Sequence, residues 1–214
     1  MSNSSRKKIT IENETIEYVD QYIYLGKQIG FDNNNNELEV ERRIRNTWNK
    51  FWSYKEIMKS NVPVELKKKI MDSCIIPCLT YACQTWKFTN KIKNKITTCQ
   101  RGMERSMLKI RRAHKIRHTK IRRVTKAIDA LSYAQKLKFR WAGHVARMED
   151  NRWTYETTTW NGPVGKRRVG RQYARWEEDI IKIAGIHWLT VAKDRNEWKS
   201  LEEAFTREGS MFSK

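Results

Sequence analysis

Apolar side chains recur at every third to fifth position through most of this sequence, and this spacing constrains the fold more than any other feature. Such spacing places apolar residues on one face of an α-helix. The 214 residues include only nine Gly and three Pro, which disfavours a loop-rich all-β fold. We therefore predict a mainly α protein. In residues 37–59 the recurring residues are Val40, Ile44, Trp48 (or Thr47), Trp52 and Ile57.

The N-terminal part has a different pattern. Between Ile9 and Ile29 short runs of β-branched and aromatic residues occur, including Tyr22-Ile23-Tyr24-Leu25, which are typical of strands. An Asn-rich stretch at 31–36 then predicts a turn. We expect a small β-hairpin or sheet of two or three strands before the helices.

The remaining helices are predicted from the same spacing and from helix breakers. Pro63 begins a helix that Pro77 kinks or ends, and Leu66, Ile70, Cys74 and Cys78, spaced by four, are predicted to face a core. The later predicted helices are Lys91–Ile110, about His118–Ile128, Asp129–Met148, about Tyr173–Ala184 and about Leu189–Phe205.

Five segments are predicted along the chain. They are an N-terminal tail and β-hairpin (1–36), a first group of helices (37–88), a basic helical region (89–160), a basic Gly-rich link (161–172) and C-terminal helices (173–214).

Positive charge is clustered in this sequence. The chain has 44 Lys and Arg against 24 Asp and Glu, a formal net charge of +20. Fourteen of these cations lie between Arg101 and Arg140, where the acids are Glu104 and Asp129. A field of this sign attracts polyanions, so we expect a nucleic-acid partner bound through its backbone with low sequence specificity. The oligomeric state is unknown.

The apolar runs are too short for a membrane span, and residues 1–10 lack the apolar stretch of a signal peptide. We expect no membrane partner and an intracellular location, in nucleus or cytoplasm. Reduced thiols are then expected at Cys74, Cys78, Cys83 and Cys99.

The predicted helix 129–148 has two contrasting sides. Ala134, Leu137, Trp141, Val145 and Met148 fall on one arc and are predicted to face the core, and Lys136, Arg140 and Arg147 form a cationic arc. His144 lies at the seam, where a structural hydrogen bond is favoured over two alternatives, a phosphate contact and catalysis or metal binding. Phe139 and Gly143 lie just past the cations, and Phe139 either stacks on a base or packs on a neighbouring helix.

Four tryptophans are interpreted as core residues rather than as platforms on which a ligand stacks. They are Trp141, Trp153, Trp176 and Trp188.

Catalytic motifs are sparse. Cys78-x4-Cys83 followed by His114-x3-His118 superficially resembles a zinc set, but the spacer is much longer than in zinc fingers. Glu177-Glu178-Asp179 are consecutive on a predicted helix, so their carboxylates diverge instead of chelating. We expect no catalytic residues, no metal ligands and no cofactor.

Six motifs occur in consistent order from about residue 15 to 206. They are Tyr24-Leu25-Gly26; Pro77-x3-Tyr81-x4-Trp86; Met107-Leu108-Lys109-Ile110; Trp141–Met148 with Arg152-Trp153; Gly165–Arg171 with Arg175-Trp176-x2-Asp179-Ile180; and Ala192–Arg195-x2-Trp198 with Glu202–Phe205. Together they resemble the C-terminal part of LINE-type (non-LTR, RTE-like) retrotransposon endonuclease-reverse transcriptases. The chain departs from the family pattern at Ala82, Gln84 and Gln172.

The resemblance implies the strand after the palm, a multi-helix thumb-like bundle and a basic C-terminal region. The palm aspartates, which hold Mg²⁺ in the intact family enzyme, and the endonuclease are missing, so enzyme activity is uncertain and the chain is expected to be inactive alone. Tyr24, Leu25 and Gly26 would correspond to the primer hairpin. Residues expected to meet phosphates are Arg101, Arg105, Arg111, Arg112, Arg117, Arg122, Arg123, Lys136, Arg140, Arg147, Lys166, Arg167, Arg168 and Arg171.

Three functional hypotheses follow. The chain is a non-catalytic, nucleic-acid-binding fragment of a retrotransposon reverse transcriptase. Alternatively, it is a transposon-derived relic that has no activity or folds poorly. The third hypothesis is that the chain takes part in RNA-directed DNA polymerase activity only when it belongs to the intact protein of the element.

Overall fold

A computed structural model describes residues 9–30, 34–148, 152–160 and 175–211, with side chains described through residue 206. Within these ranges the fold is mainly α, with a small β region at the N-terminus, as the sequence predicted. Among the described residues, no helix is long and apolar enough to cross a membrane.

The strands form two separate antiparallel hairpins. β1 (Thr10–Ile11) pairs with β2 (Glu14–Thr15), and β3 (Gln21–Tyr24) pairs with β4 (Lys27–Gly30). In the second hairpin Leu25 and Gly26 both have positive φ, 46° and 73°, as a tight two-residue hairpin turn requires. The N-terminal β region is therefore two ribbons and not one continuous sheet.

Eleven helices occur in the described ranges, and a π-helical turn (Met71–Ile75) separates α3 from α4. They are α1 (Asn35–Ser53), α2 (Lys55–Lys59), α3 (Val64–Ile70), α4 (Ile76–Leu79), α5 (Asn90–Met107), α6 (His118–Thr125), α7 (Ala130–Ala146), α8 (Trp153–Thr159), α9 (Glu178–Ala184), α10 (Trp188–Val191) and α11 (Arg195–Met211).

Side-chain caps fix where the two long central helices begin. Thr89 accepts a hydrogen bond from the backbone N–H of Ile92 at 3.4 Å at the start of α5. Asp129 accepts one from Ser132 at 2.8 Å at the start of α7. Each cap satisfies a backbone donor that has no partner within its helix. These short polar residues explain why both helix starts were predicted within about one residue.

The first hydrophobic core lies between α1, the α3–α4 region, α5 and the beginning of α7. Its large buried side chains include Phe51, Ile75, Trp86 and Met103. Residues from both segments 37–88 and 89–160 contribute to it. The division of the chain into five segments remains a prediction.

The predicted core face of the α3–α4 region was only partly correct. Ile70 packs against the first core. Leu66, before the π-helical turn, is 49% exposed, and Cys74 within that turn is half-buried, whereas Met71 and Ile75 are fully buried. A π-helical turn adds a residue per turn, so it rotates every later side chain relative to an α-helix. The spacing by four that the sequence shows does not follow one face through this turn.

A second hydrophobic core forms where α7 meets α9, α10 and α11. Phe139 is fully buried there, with its ring 4.0 Å from that of Trp198 and parallel to it within 3°. Trp198 also donates its indole N–H to the carbonyl of Phe139 at 3.0 Å. Phe139 thus packs on a neighbouring helix, the second of the alternatives considered for it.

The predicted faces of α7 were only partly correct, because its first half contributes to the first core and its second half to the second core. Ala134 and Val145 are buried as predicted, but Leu137, Trp141 and Met148 are only half-buried. Conversely Phe139 and Gly143, which were placed beside the cations, are buried by α11. A helical wheel assumes one core, and α7 contacts two.

Candidate nucleic-acid interface

The largest group of cations uninterrupted by an acid lies in residues 105–126, which we call the basic segment. It contains ten Lys and Arg and no Asp or Glu. The segment begins in the last turn of α5, passes through a short 3₁₀ turn at Arg112–His114 and ends with α6.

A buried carboxylate anchors the basic segment to α5. Glu104 is fully buried, and its Oε1 accepts hydrogen bonds from Arg122 at 2.7 Å and from Gln100 at 2.9 Å. Ile121 and Thr125, on the inner side of α6, are buried as well. Arg122 therefore pairs with buried Glu104 and also with Asp129, at 3.5 Å. The next cation of the segment, Arg123, is exposed.

Burial shifts the pKa values of two groups at this anchor, Glu104 and His118. Burial raises the pKa of Glu104, although the charge and hydrogen bond of Arg122 oppose this. Burial, followed by the charges of Arg101, Arg122 and Arg105, lowers the pKa of His118 to about 4. His118 Nε2 lies 3.6 Å from Glu104 Oε2. Because His118 is neutral at pH 7, this approach is not an ion pair at that pH.

Four arginines of the segment are exposed and make no side-chain hydrogen bond or ion pair with any residue that the structure describes. Their guanidinium groups remain available to a polyanion. Two other predicted residues are engaged: Arg122 with Glu104, and Arg105, whose Nη2 donates to the carbonyl of Ile116 at 3.0 Å. The four available arginines are Arg111, Arg112, Arg117 and Arg123.

A cavity of about 310 Å³ opens on this face between α5 and α6. Arg101, His118, Arg122 and Arg123 line it, with Asp129 at its edge. The cavity is thus lined by three guanidinium groups and one carboxylate. This excess of positive charge is suited to binding a phosphate group.

Three lysines in or beside the turns of this segment adopt left-handed backbone conformations. Lys109, Lys115 and Lys126 have φ of 58°, 50° and 48°. Lys109 follows the end of α5, and Lys126 directly ends α6. These are conformations that glycine usually supplies at helix ends.

Comparison with known proteins connects this fold to mobile DNA. The chain is 34% identical over 193 residues to a transposon-derived protein of Caenorhabditis elegans whose own function is uncharacterized, covering 84% of this chain and 69% of the relative. The chain belongs to this transposon-derived family. No protein-family model and no solved structure matches it.

The cationic arc of the transposon-derived chain is occupied by its own C-terminal helices. Lys136 and Arg140 both bind Glu202, at 2.8 and 2.7 Å. Arg147 donates to the carbonyl of Ala192 at 2.5 Å. Unlike the four available arginines, these three residues already bond to other parts of the protein. Their contacts with phosphates remain a prediction.

The other predicted site residues fall into two groups. Tyr24, Leu25 and Gly26 form the exposed turn between β3 and β4. Lys166, Arg167, Arg168 and Arg171 lie outside the described residues, as does the link 161–172.

Two predictions for the transposon-derived sequence were wrong. The hydrogen bond favoured for His144 is absent: its side chain is exposed, makes no hydrogen bond to a described residue, and contacts the Trp141 ring at 5.4 Å. Trp153, expected in the core, is 83% exposed, whereas Trp188 is buried as expected. Both errors have the same reason: which side chains of a helix become buried depends on segments far away in the sequence that pack against it.

Sequence reasoning missed several residues of this face. Lys115, Lys120 and Lys126 are exposed in the same segment, and the run of cations itself could have indicated them. Glu104 was seen as an acid but not as the buried anchor, because its partners are 4 to 18 residues away.

The residues considered as a zinc set do not assemble with other ligands. In the part of the chain that the structure describes, no group of three or more His, Cys, Asp or Glu side chains could hold a metal ion. Burial raises the pKa of Cys83 to about 12, so its thiol is protonated at neutral pH.

Proposed function

We propose that this transposon-derived protein binds the sugar-phosphate backbone of RNA or DNA through the basic segment. The observation that carries the proposal is the exposure of Arg111, Arg112, Arg117 and Arg123 above a single buried acid. When these arginines neutralise phosphates, the counterions bound to the nucleic-acid backbone are released, which favours binding. Because the arginines have no ion pair within the described protein, no such pair has to be broken first. Arg101 and the cavity between α5 and α6 would hold one phosphate of the bound strand.

The proposal includes a finer origin: the C-terminal part of a LINE-type, RTE-like reverse transcriptase. The six ordered motifs support it. The relation to a transposon-derived protein supports the coarser origin from a transposon. On this proposal the helices form the thumb that follows the nucleic-acid duplex, and Mg²⁺-dependent polymerisation belongs to the intact element protein.

Salt dependence tests the backbone contact. Affinity for a short RNA duplex should be micromolar or tighter at low salt. Between 50 and 200 mM salt it should fall about a hundredfold, as expected for about four phosphate contacts. Replacing Arg111, Arg112, Arg117 and Arg123 with Glu should abolish most of this dependence. Arg122 is left unchanged because it neutralises buried Glu104.

The matched control changes the same number of charges elsewhere. Lys55, Lys182, Lys193 and Lys199 are exposed and lie outside the basic segment. A variant with Glu at these four positions should keep most of the affinity. Equal loss in both variants would show that net charge alone, and not the basic segment, attracts the nucleic acid.

A transposon-derived relic with no activity is the second candidate, favoured by the name of the relative. It differs from the first in having no measurable nucleic-acid affinity at low salt. A broad, non-cooperative thermal transition would support it, and a sharp one with salt-sensitive binding would exclude it.

A further inference from the structure

An open cavity of about 490 Å³ lies between the β3–β4 hairpin and the helices behind it. Its size falls within the range of small-ligand pockets. Its walls are mainly aromatic and aliphatic. They include Tyr24, Leu25, Pro77, Tyr81, Tyr133 and Leu137.

Polar contacts hold the hairpin turn at the mouth of this cavity. The Tyr81 hydroxyl donates to the carbonyl of Leu25 at 2.9 Å. Arg42 and Arg43 both donate to the carbonyl of Gly26, and the Arg43 guanidinium lies 4.4 Å above the Tyr81 ring. The wall formed by the hairpin is therefore fixed by side chains of α1 and by Tyr81.

Two wall residues have unusual backbone conformations. Leu25 and Ala82 have φ of 46° and 59°, and both line the cavity. A residue with a Cβ adopts this region at a cost in free energy, and such residues concentrate at ligand sites. The φ of Leu25 belongs to the hairpin turn, so Ala82 is the wall residue whose strained backbone the turn does not explain.

The exposed surfaces of the cavity favour a flat aromatic ligand. Two large aromatic side chains of the lining are not buried in a core: Tyr24 is 58% exposed and Tyr81 is 49% exposed. Lys27, Thr80 and Gln84 add polar groups to the lining. Aromatic faces bind nucleobases by stacking, with little dependence on sequence, and the net charge of +20 attracts the strand that carries them.

We propose that this cavity binds one unstacked nucleobase of a single-stranded RNA or DNA segment, stacked on Tyr24. The proposal rests on the proposed function, because the basic segment supplies the backbone affinity. The base adds a preference for single strands, since a paired base within a duplex cannot enter the cavity.

The test compares Tyr24→Leu with Tyr24→Phe. The leucine removes the aromatic face and keeps an apolar side chain. The phenylalanine keeps the face and removes only the hydroxyl, which makes no hydrogen bond to a described residue. Binding would be measured for a short uridine oligomer, an RNA duplex of the same length and an abasic oligomer.

Tyr24→Leu should weaken binding of the uridine oligomer about fivefold to a hundredfold, the effect of losing one stacked base. Tyr24→Phe should bind it like the unmodified protein. Neither change should alter binding of the duplex or the abasic oligomer. Unchanged uridine-oligomer binding by Tyr24→Leu, with duplex binding intact, overturns the base pocket and leaves the proposed function standing.

Other outcomes are equally decisive. If the unmodified protein binds none of the three probes, the proposed function and the base pocket both fail. Equal weakening for all three probes in Tyr24→Leu overturns the pocket. Concentration-dependent sedimentation that Tyr24→Leu abolishes would assign the cavity to a second copy of the chain and overturn the proposal.

Discussion

Gly143 faces the indole ring of Trp198 so closely that its missing side chain determines how α11 packs on α7. A Cβ at this position would overlap Trp198 Nε1 and lie 2.6 Å from Cδ1. The indole cannot move aside easily, because it stacks on Phe139 and donates to the Phe139 carbonyl. Glycine here serves close packing and not an unusual φ.

Gly143→Ala is therefore expected to destabilise the protein by about 1–2 kcal/mol. Overpacking of about 1–3 kcal/mol exceeds the gain in helix propensity of about 1 kcal/mol. Chemical denaturation would measure the change in the free energy of unfolding. In a Trp198→Leu background the clash is removed, so the same substitution should become neutral or stabilising. Equal effects in both backgrounds would contradict this account.

His118 should make stability depend on pH. Its pKa falls from about 6.5 when unfolded to about 4 when folded, mainly through burial. The unfolded chain then binds more protons between these values, so stability decreases as pH falls from 6.5 to 4. The expected loss is on the order of 2–3 kcal/mol.

The check is the difference between the unmodified protein and His118→Gln in urea unfolding at pH 7, 6, 5 and 4. Glutamine does not titrate, so its variant should show a shallower decline. Parallel curves would mean that His118 does not carry the effect.

At the scale of elements, one buried ion pair joins α7 to α9. Lys138 is fully buried, and its Nζ lies 2.7 Å from Asp179 Oδ1 and 2.5 Å from the carbonyl of Trp176. Burial lowers the pKa of Lys138, with Asp179 opposing the shift. The packing of α9 on α7 thus depends on Asp179, which neutralises the buried ammonium group of Lys138.

Asp179→Asn should destabilise the protein by about 3 kcal/mol, because the buried ammonium loses its counter-charge. Thermal unfolding would measure the loss. The double substitution Lys138→Met with Asp179→Leu removes the charge itself and should recover most of the stability. If the double variant is less stable than Asp179→Asn, the ion pair is not the cause.

Glu202 on α11 forms ion pairs with two residues that were predicted to contact phosphates, Lys136 and Arg140. Burial pushes the Glu202 pKa up, but hydrogen bonds from Arg140 and Lys136 outweigh it and lower the pKa overall. The carboxylate is therefore ionised near pH 7 and neutralises part of the cationic arc.

Glu202→Gln should tighten duplex binding about threefold to tenfold at low salt if Lys136 and Arg140 meet phosphates. Glu197→Gln on the same helix removes an equal charge at an exposed position and serves as the control. Tightening by both variants to the same degree would remove Lys136 and Arg140 from the interface.

The helices were predictable where local residues fix them and less so where distant ones do. Thr89 and Asp129 cap α5 and α7 through bonds to residues three positions later, so their starts could be read from sequence. The bond between Arg140 and Glu202 joins residues 62 positions apart, and no local pattern indicates it. The positive charge of the basic segment was evident from sequence, but its buried anchor was not.

At the scale of the whole molecule, α7 connects two hydrophobic cores. Ala130, Leu131 and Ala134 belong to the first core, and Phe139 and Ala142 belong to the second. Because one continuous helix contributes to both, neither core can be lost without exposing a face of α7. The described part of the protein should therefore unfold as one unit.

Trp198→Ala in the second core should lower the melting temperature of the entire transition by about 6–20 °C, as expected for a loss of about 3–5 kcal/mol in a chain of this size. Far-UV circular dichroism and tryptophan fluorescence should give coincident melting curves. Two separate transitions, with only one shifted by the substitution, would show that the cores are independent.

The left-handed lysines of the basic segment have a consequence for how copies of this sequence change in genomes. A lysine codon becomes an asparagine codon by a single third-base change, and asparagine accepts positive φ more readily than lysine does. At Lys109, Lys115 and Lys126 such drift relieves backbone strain and removes charge in one step. In copies selected only for a stable fold asparagine should accumulate at these codons, whereas lysine persists wherever the charge is needed.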